Sequence, residues 1–146
     1  QTEIKVVLPP KSVEAEFDAK RIERLLRNLL SNAVEHGEGK PIVVEVGENA
    51  QAVAVCVTDH GVGMSKQQLE RIFDRFWRAD PARQRSVGGT GLGLAISKED
   101  AILHRGWLQV WSKPQRGSSF RLTLPKRSDS AIANSPLPLP PRSMEL

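Results

Sequence analysis

The sequence predicts an α+β fold, a two-layer sandwich in which a mixed, mostly antiparallel sheet is covered on one face by three helices. Three observations support this prediction. Apolar residues recur at helical spacing in three separate segments, and short alternating or continuous apolar runs between them are typical of strands. The strands follow one another in pairs and do not alternate regularly with helices, which argues against a parallel α/β sheet. The 146 residues suffice for one domain with its own core.

The N-terminal part of the chain predicts two short strands and then a long helix. The strands are EIKVVLP and VEAEFD, and in the second of them Val13, Ala15 and Phe17 alternate with charged residues. The helix carries an apolar stripe between residues 22 and 34 at i, i+3, i+4, i+7 spacing, and Asp18 is its predicted N-cap. The sequence HGEGKP ends this helix.

The middle of the chain predicts a strand pair, a second helix and a loop. IVVEV and AVAVCVTD form an antiparallel pair across the polar turn GENAQ. After HGVGM, Ser65 and Gln68 form a capping box. The stripe of the helix that follows consists of Leu69, Ile72, Phe73, Phe76 and Trp77. Residues 79–87, ADPARQRSV, are polar and basic. Their apolar residues follow neither the helical nor the strand period, which predicts a mobile loop.

The last part of the chain predicts a helix opened by glycines, a strand pair and a tail. The helix ends near His104 and Arg105, with Gly106 as its stop. WLQVWS and SFRLTLP form the closing strand pair. Beyond Lys126 the chain is rich in proline and serine, so we predict a domain at residues 1–125 and a flexible tail at residues 126–146 that buries too little surface to order itself.

Composition limits the classes of function. The net charge of +4 fits an anionic small molecule or an acidic partner and does not require nucleic acid. Cys56 is the single cysteine, and its apolar surroundings predict a buried free thiol in a reducing compartment. The longest apolar run, residues 52–57, is too short to span a bilayer. The chain begins at Gln1 inside an amphipathic stretch without a signal peptide, so we expect a fragment of a longer protein.

The stretch GGTGLGLAIS predicts a phosphate-binding turn. Glycines let the backbone approach phosphate oxygens, and a helix that begins there offers free N–H donors. A P-loop is excluded because Leu92 and Gly93 stand where it needs Lys and Ser or Thr. A dinucleotide site is excluded because Gly89, Gly91 and Gly93 lack its spacing and no strand directly precedes them. A plain hinge and helix start is the alternative interpretation.

A second cluster lies on the first helix. Asn28 and Asn32 are four residues apart and therefore share a face, with Glu35 and His36 one turn further along. Two carboxamides so placed would supply oxygen ligands to a hard cation such as Mg²⁺. Two solvated asparagines are the alternative, although asparagine is a poor helix former.

Two more clusters are candidate contacts. Asp59 follows a strand in DHGVGM, where a turn at Gly61 and Gly63 would expose its carboxylate to a donor such as the exocyclic amine of adenine. An ordinary turn is the alternative. In FDRFWR, Arg75 and Arg78 stand beside the basic loop, where a guanidinium would neutralise phosphate; ordinary surface arginines are the alternative.

The order of these clusters resembles a known family. N-L-x-x-N-A, D-x-G-x-G, F-x-x-F-x-R and G-T-G-L-G-L are similar to the N, G1, F and G2 boxes of sensor histidine kinases. In those proteins the boxes form the catalytic and ATP-binding domain, a Bergerat fold shared with gyrase, Hsp90 and MutL. The resemblance covers roughly residues 1–125. The stretch FDRFWRADPAR and the SPLPL tail resemble an actinobacterial branch of these kinases.

The resemblance implies ATP and Mg²⁺ as cofactors. Asn28 and Asn32 would position the metal and the triphosphate, Asp59 would bind adenine, and Arg78 would approach the phosphates. Residues 79–88 would be the ATP lid. The implied nucleotide contacts are Asn28, Asn32, Glu35, His36, Asp59, Gly61, Gly63, Met64, Arg78, Gly89, Thr90, Gly91, Leu92 and Gly93.

Asn28 separates kinase from ATPase within this resemblance. The ATP-hydrolysing branches carry a glutamate there as the base that activates water, and an amide cannot take that proton. The resemblance therefore implies a protein-histidine kinase. A GHKL-type ATPase and a degenerate nucleotide-binding or interaction module are the alternatives.

Two positions depart from the family pattern. Glu35 and His36 stand where many kinases have lysine and an aromatic residue. We predict that Arg78, Arg83 or Arg85 supplies the missing positive charge near the phosphates, which alanine variants at these positions would test by nucleotide affinity.

The phosphate acceptor is not in this chain. None of His36, His60 and His104 stands in a sequence resembling H-E-x-x-x-P. The resemblance places the acceptor on a dimerising helical hairpin of the same parent protein, with a response regulator as an indirect partner and no nucleic acid. The fragment is then expected to be monomeric, a cytoplasmic domain of a cell-membrane protein.

Overall fold

The computed structural model describes residues 2–75 and 93–144. Its strands are β1 (Ile4–Val7), β2 (Ile42–Glu48), β3 (Ala52–Asp59), β4 (Trp107–Lys113) and β5 (Gly117–Pro125). Its α-helices are α1 (Ala19–His36), α2 (Lys66–Arg71) and α3 (Gly93–Leu103), and a 3₁₀ turn spans Arg142–Met144.

The strands form one sheet in the order β1-β2-β3-β5-β4. β1 pairs with β2 in parallel, and the other three pairings are antiparallel. Helical and strand residues share one apolar core, in which Leu25 and Leu29 of α1 lie with Val57 of β3 and Phe120 of β5. The predicted two-layer α+β fold with a mixed, mostly antiparallel sheet is therefore confirmed.

α1 forms where the apolar period and the cap agree. Asp18 accepts a hydrogen bond from the Arg21 N–H, which satisfies one of the free donors of the first turn. The buried face consists of Ile22, Leu25, Leu29 and Ala33. The capping box of Ser65 and Gln68 at α2 is also present.

One predicted strand is wrong. Residues 13–18 are not a strand, although Val13 and Ala15 are half-buried against the core. Phe17, the third apolar residue of the alternation, is 46% exposed. The alternating pattern indicates which side chains face the core. A β-strand additionally requires backbone hydrogen bonds to a neighbouring strand. The described backbone contact here is the Glu16 N–H to the Lys126 carbonyl at 2.9 Å.

The observed ends of the second and third helices can be compared with the predicted ends. α2 ends at Arg71, with Ile72 as its C-cap, so the helix is shorter than the apolar stripe. Phe76, Trp77 and the predicted loop at residues 79–87 lie outside the described residues. α3 ends as predicted, with Arg105 at φ 55° and the Gly106 N–H donating to the Ala101 carbonyl.

The proline-rich tail lies on the outer face of the sheet, opposite the helices. Leu137 packs with Ala54 and Cys56 of β3 and is 8% exposed, and Met144 is also buried. This differs from the expectation that the segment buries too little surface to order itself, because β3 presents small side chains that leave room for a leucine. The boundary between a domain at residues 1–125 and a tail at residues 126–146 stays a prediction. Within the described ranges, no helix has the length and apolar character needed to cross a membrane.

Candidate functional site

Asn28 joins the first helix to the start of the third. Its Nδ2 donates to the Gly93 carbonyl at 3.1 Å and to Ser97 Oγ at 3.2 Å. Ser97 Oγ in turn donates to the same carbonyl at 2.9 Å. A Cβ on Gly93 would lie 3.7 Å from the Asn28 carboxamide, an ordinary contact distance. The amide nitrogen therefore holds the beginning of α3 against the polar face of α1.

A buried carboxylate paired with two half-exposed arginines strengthens the same junction. Asp100 of α3 is 1% exposed. Its two carboxylate oxygens lie 3.0 Å from Arg21 Nη1 and 2.7 Å from Arg24 Nη2. A buried carboxylate requires such partners because desolvation penalises its charge. The helix that follows the glycine run is thus fixed to α1 at two places.

Asp59 is the last residue of β3, and the structure buries it. Its exposed fraction is 1%, so the expectation of an exposed carboxylate is wrong. Burial raises the pKa of Asp59, while backbone hydrogen bonds with Gly61 and Ser118 and the nearby His60 act in the opposite direction. The bond from the Gly61 N–H to Oδ1 measures 2.9 Å. A carboxylate shielded from water is a strong acceptor for a donor that reaches it.

The loop after Asp59 passes too close to its neighbours to carry side chains at its glycines. A Cβ on Gly61 would lie 1.8 Å from the His36 carbonyl oxygen. A Cβ on Gly63, which has φ +68°, would lie 2.0 Å from the Lys113 carbonyl oxygen. Met64 is buried, and its N–H donates to Ser112 Oγ at 2.8 Å. The loop is therefore held between the end of α1 and the β4–β5 turn.

The last turn of α1 lies beside Asp59. A Cβ on Gly37 would lie 3.5 Å from the Asp59 Cβ. Glu35 Oε2 and His36 Nε2 are 3.7 Å apart, and both side chains are mostly buried. This contact is an ion pair only when His36 is protonated. The two residues that depart from the family pattern thus contact each other at the edge of the site.

The structure brings three of the four predicted clusters into contact in two pairs. The end of α1 meets the loop after Asp59, and Asn28 meets Gly93. Asn32 lies half-buried one turn beyond Asn28. Residues 79–88 and five predicted contacts lie outside the described residues: Arg78, Gly89, Thr90, Gly91 and Leu92. In the described part of the chain, no group of three or more His, Cys, Asp or Glu side chains is placed to hold a metal ion.

Sequence reasoning missed several residues that position this site. Besides Ser97 and Asp100, Lys98 contributes by donating to the Leu108 carbonyl at 2.7 Å, with its Nζ 4.9 Å from the centroid of the Phe73 ring. Burial lowers the pKa of Lys98. The available signal is that Ser97 and Asp100 stand three residues apart and therefore share one face of the helix. Such residues on a buried face require partners.

Comparisons with known proteins agree on one family. Residues 17–128 match the family described as histidine kinase-, DNA gyrase B- and HSP90-like ATPase. The sensor histidine kinase MtrB of Mycolicibacterium paratuberculosis is 51% identical over 139 residues, which are 95% of this chain and 25% of that protein. MtrB of Mycobacterium tuberculosis is 50% identical over the same length, 95% of this chain and 24% of that protein. The chain spans about a quarter of the length of these relatives.

Solved structures of histidine kinases align with this chain. The mycobacterial sensor histidine kinase MprB aligns with a TM-score of 0.72 and 28% identity, covering 86% of this chain and 83% of that one. A nucleotide-free catalytic domain of the histidine kinase ThkA aligns with a TM-score of 0.75 and 25% identity, covering 88% of this chain and 81% of that one.

Proposed function

The chain belongs to the histidine kinase-, DNA gyrase B- and HSP90-like ATPase family, and from this premise we propose that it is the ATP-binding, phosphoryl-donating domain of a sensor histidine kinase. The family is one of ATPases, so ATP is the nucleotide it implies. The curated relatives carry the name sensor histidine kinase. The assignment of roles to individual residues is part of the proposal.

The buried carboxylate of Asp59 carries the proposal. It lies between the last turn of α1 and a loop whose backbone is fixed by close contacts at Gly61 and Gly63. In the proposed complex Asp59 accepts a hydrogen bond from the exocyclic amine of adenine, and Met64 lines the pocket. A preformed acceptor with rigid walls loses little entropy when the base binds.

The phosphate end of the site is proposed to lie at the junction of α1 and α3. Asn28 uses its nitrogen on Gly93 and Ser97, which leaves its oxygen as the group that can ligate. Carboxamide oxygens suit Mg²⁺, so the side chains of Asn28 and Asn32 fit the metal that the family implies. A Mg²⁺ ion held by these side chains would supply charge neutralisation at the phosphates. Arg78 and the glycine-rich residues 89–93 are proposed to complete this end.

Transfer to a protein acceptor is favoured over hydrolysis by Asn28. The side chain donates its N–H to α3 and has no basic atom for a water proton. Catalysis then depends on positioning and charge neutralisation, with Asn28, Asn32 and Arg78 as the proposed catalytic residues. The acceptor is proposed to be a histidine on a helical hairpin of the same parent protein.

The remaining proposals concern the parent protein. A response regulator is the proposed downstream partner, nucleic acid is not a proposed partner, and the fragment is proposed to be monomeric. By analogy with sensor kinases, we place this domain on the cytoplasmic side of a membrane-anchored parent.

Calorimetric titration with a non-hydrolysable ATP analogue, with and without Mg²⁺, tests the proposal. We expect Mg²⁺-dependent binding, no label from γ-labelled ATP on a histidine of this chain, and no multiple-turnover release of phosphate. Sustained phosphate release would support a GHKL-type ATPase instead. No binding in either condition would support a degenerate module.

A further inference from the structure

The outer face of the sheet carries a groove floored by small residues. Gly47 of β2 pairs with Ala54 of β3 in the antiparallel register, and Cys56 follows two residues later on the same face. Ala54 and Cys56 are buried. These three residues, called the outer groove below, leave a depression between larger neighbours.

Leu137 of the tail fills the outer groove. A Cβ on Gly47 would lie 2.6 Å from Leu137 Cδ2 and 3.0 Å from its Cγ. Leu137 forms one buried cluster with Ala54 and Cys56, and Leu139 packs beside it. The absence of a side chain at Gly47 is therefore what admits the leucine.

Polar contacts fix the tail on both sides of Leu137. Arg121 Nη1 donates to the Leu137 carbonyl at 2.7 Å, and Thr123 Oγ1 donates to Ser135 Oγ at 2.8 Å. Further along, the Met144 carbonyl accepts from Arg116 Nη2 at 2.9 Å, and the Met144 side chain is buried. Backbone carbonyls are thus recognised as well as side chains.

The segment that occupies the groove is of a kind often used in recognition. Prolines stand at positions 136, 138, 140 and 141, around the two leucines. Proline restricts the free chain to extended conformations, so less entropy is lost on docking. Exposed carbonyls and an apolar anchor are the features that such segments present to a groove.

We propose that the outer groove is a peptide-binding site for a leucine within a proline-rich extended segment, and that residues 134–144 of the same chain fill it. This surface is opposite the helices and serves binding of a peptide, whatever nucleotide the other face binds. Occupancy in cis means that a competing segment of the same chemistry must displace the tail.

Cys56 reports on the occupancy of the groove in the full chain. It is the single cysteine and is buried under Leu137, with Sγ 3.0 Å from Ser119 Oγ. Burial raises the pKa of the Cys56 thiol, so the covered thiol reacts slowly. The rate of thiol labelling therefore measures how often the tail leaves.

The test compares labelling rates of the full chain and its variants. We expect Leu137→Ala to label at least about tenfold faster than the wild type, since removing a buried leucine side chain weakens packing well beyond that factor. Ala133→Ser, at an exposed position just before the segment that fills the groove, is the matched control and should label at the wild-type rate. Gly47→Val, which forces Leu137 out while leaving the tail intact, should also accelerate labelling.

A synthetic peptide, AIANSPLPLPPRSM, completes the test. Added in excess to the Leu137→Ala chain, it should slow labelling, and the same peptide with alanine in place of the first leucine should not. Unchanged labelling of both variants, labelling that only follows global unfolding measured by circular dichroism, or a peptide without effect would each overturn the proposal. A wild-type dimer that becomes monomeric in Leu137→Ala would overturn the cis assignment and place the tail on a second copy.

Discussion

Replacing Asp59 by asparagine separates the effect of a buried charge on folding stability from its proposed role in binding adenine. The pKa of this carboxylate is raised from its ordinary value near 3.8, chiefly by burial. Between that value and the raised one, the folded chain holds more protons at this position than the unfolded chain. Its contribution to the free energy of unfolding therefore decreases as the pH rises through this interval. Asparagine has the same shape without the charge.

The expected loss of affinity follows from the contact that would be removed. Hydrogen bonds to charged groups contribute about 1.5–3 kcal/mol. Since a tenfold change in affinity corresponds to about 1.4 kcal/mol, Asp59→Asn should weaken binding of an ATP analogue by about ten- to a hundredfold. The amide oxygen can still accept from the Gly61 N–H, so the loop should keep its position.

Two measurements check this prediction. Calorimetric titration at pH about 7 gives the affinity, and thermal unfolding without nucleotide at several pH values gives the stability. We expect the variant to gain stability relative to the wild type as the pH rises. Asp129→Asn is the control, because that carboxylate is 78% exposed. An unchanged affinity with increased stability would refute Asp59 as the adenine acceptor. A variant less stable than the wild type at neutral pH would refute the inference that the buried charge destabilises the fold.

Three further predictions concern the same site. Asn28→Asp removes a donor and places a carboxylate against the Gly93 carbonyl, so the free energy of unfolding should fall by about 1–3 kcal/mol in denaturant titrations; an unchanged value would contradict the contact. Gly61→Ala places a methyl group 1.8 Å from the His36 carbonyl oxygen, so both melting temperature and analogue affinity should fall, and retention of both would show that the loop is free to move. A chelator should weaken analogue binding to the wild type and have much less effect on Asn32→Ala; equal Mg²⁺ dependence in the two proteins would exclude Asn32 as a ligand.

Local signals predicted most of the architecture. The period and cap of α1, the capping box of α2 and the strand pairs around GENAQ all occur as expected, because each depends on residues close in sequence. The family resemblance from four ordered motifs is confirmed by the match over residues 17–128, and the actinobacterial branch by the identity with MtrB.

The errors lie where distant parts of the chain decide the outcome. Val13 and Ala15 alternate because they face the core, but no pattern in the sequence states whether a neighbouring strand will pair with them. The glycine turn that follows Asp59 predicts that its carboxylate is exposed. The end of α1 and the β4–β5 turn, both far away in sequence, bury it instead.

The apolar pattern of β3 indicates that something covers the outer face of the sheet, although the proline- and serine-rich composition of the tail suggests disorder. The run AVAVCV in β3 is continuous rather than alternating, which is typical of a strand buried on both faces. A helix layer covers one face, so the other face also required a cover. The isolated leucines of a proline-rich segment looked insufficient by themselves. They suffice here because Gly47 and Ala54 provide a shaped cavity.

The two proposed sites use the two faces of the same strand. In β3, Val57 and Asp59 point toward the helices, whereas Ala54 and Cys56 point toward the tail, because successive side chains of a strand alternate. The strand meets two sets of constraints at once, an acceptor at its end for the proposed nucleotide and small residues along its back for Leu137. Small side chains on the outer face permit the tail to approach the backbone closely, while pairing with β5 holds the end of the strand at Asp59. A side chain larger than alanine at position 54 would therefore act on the tail first, and it would reach the nucleotide face only through displacement of the strand itself.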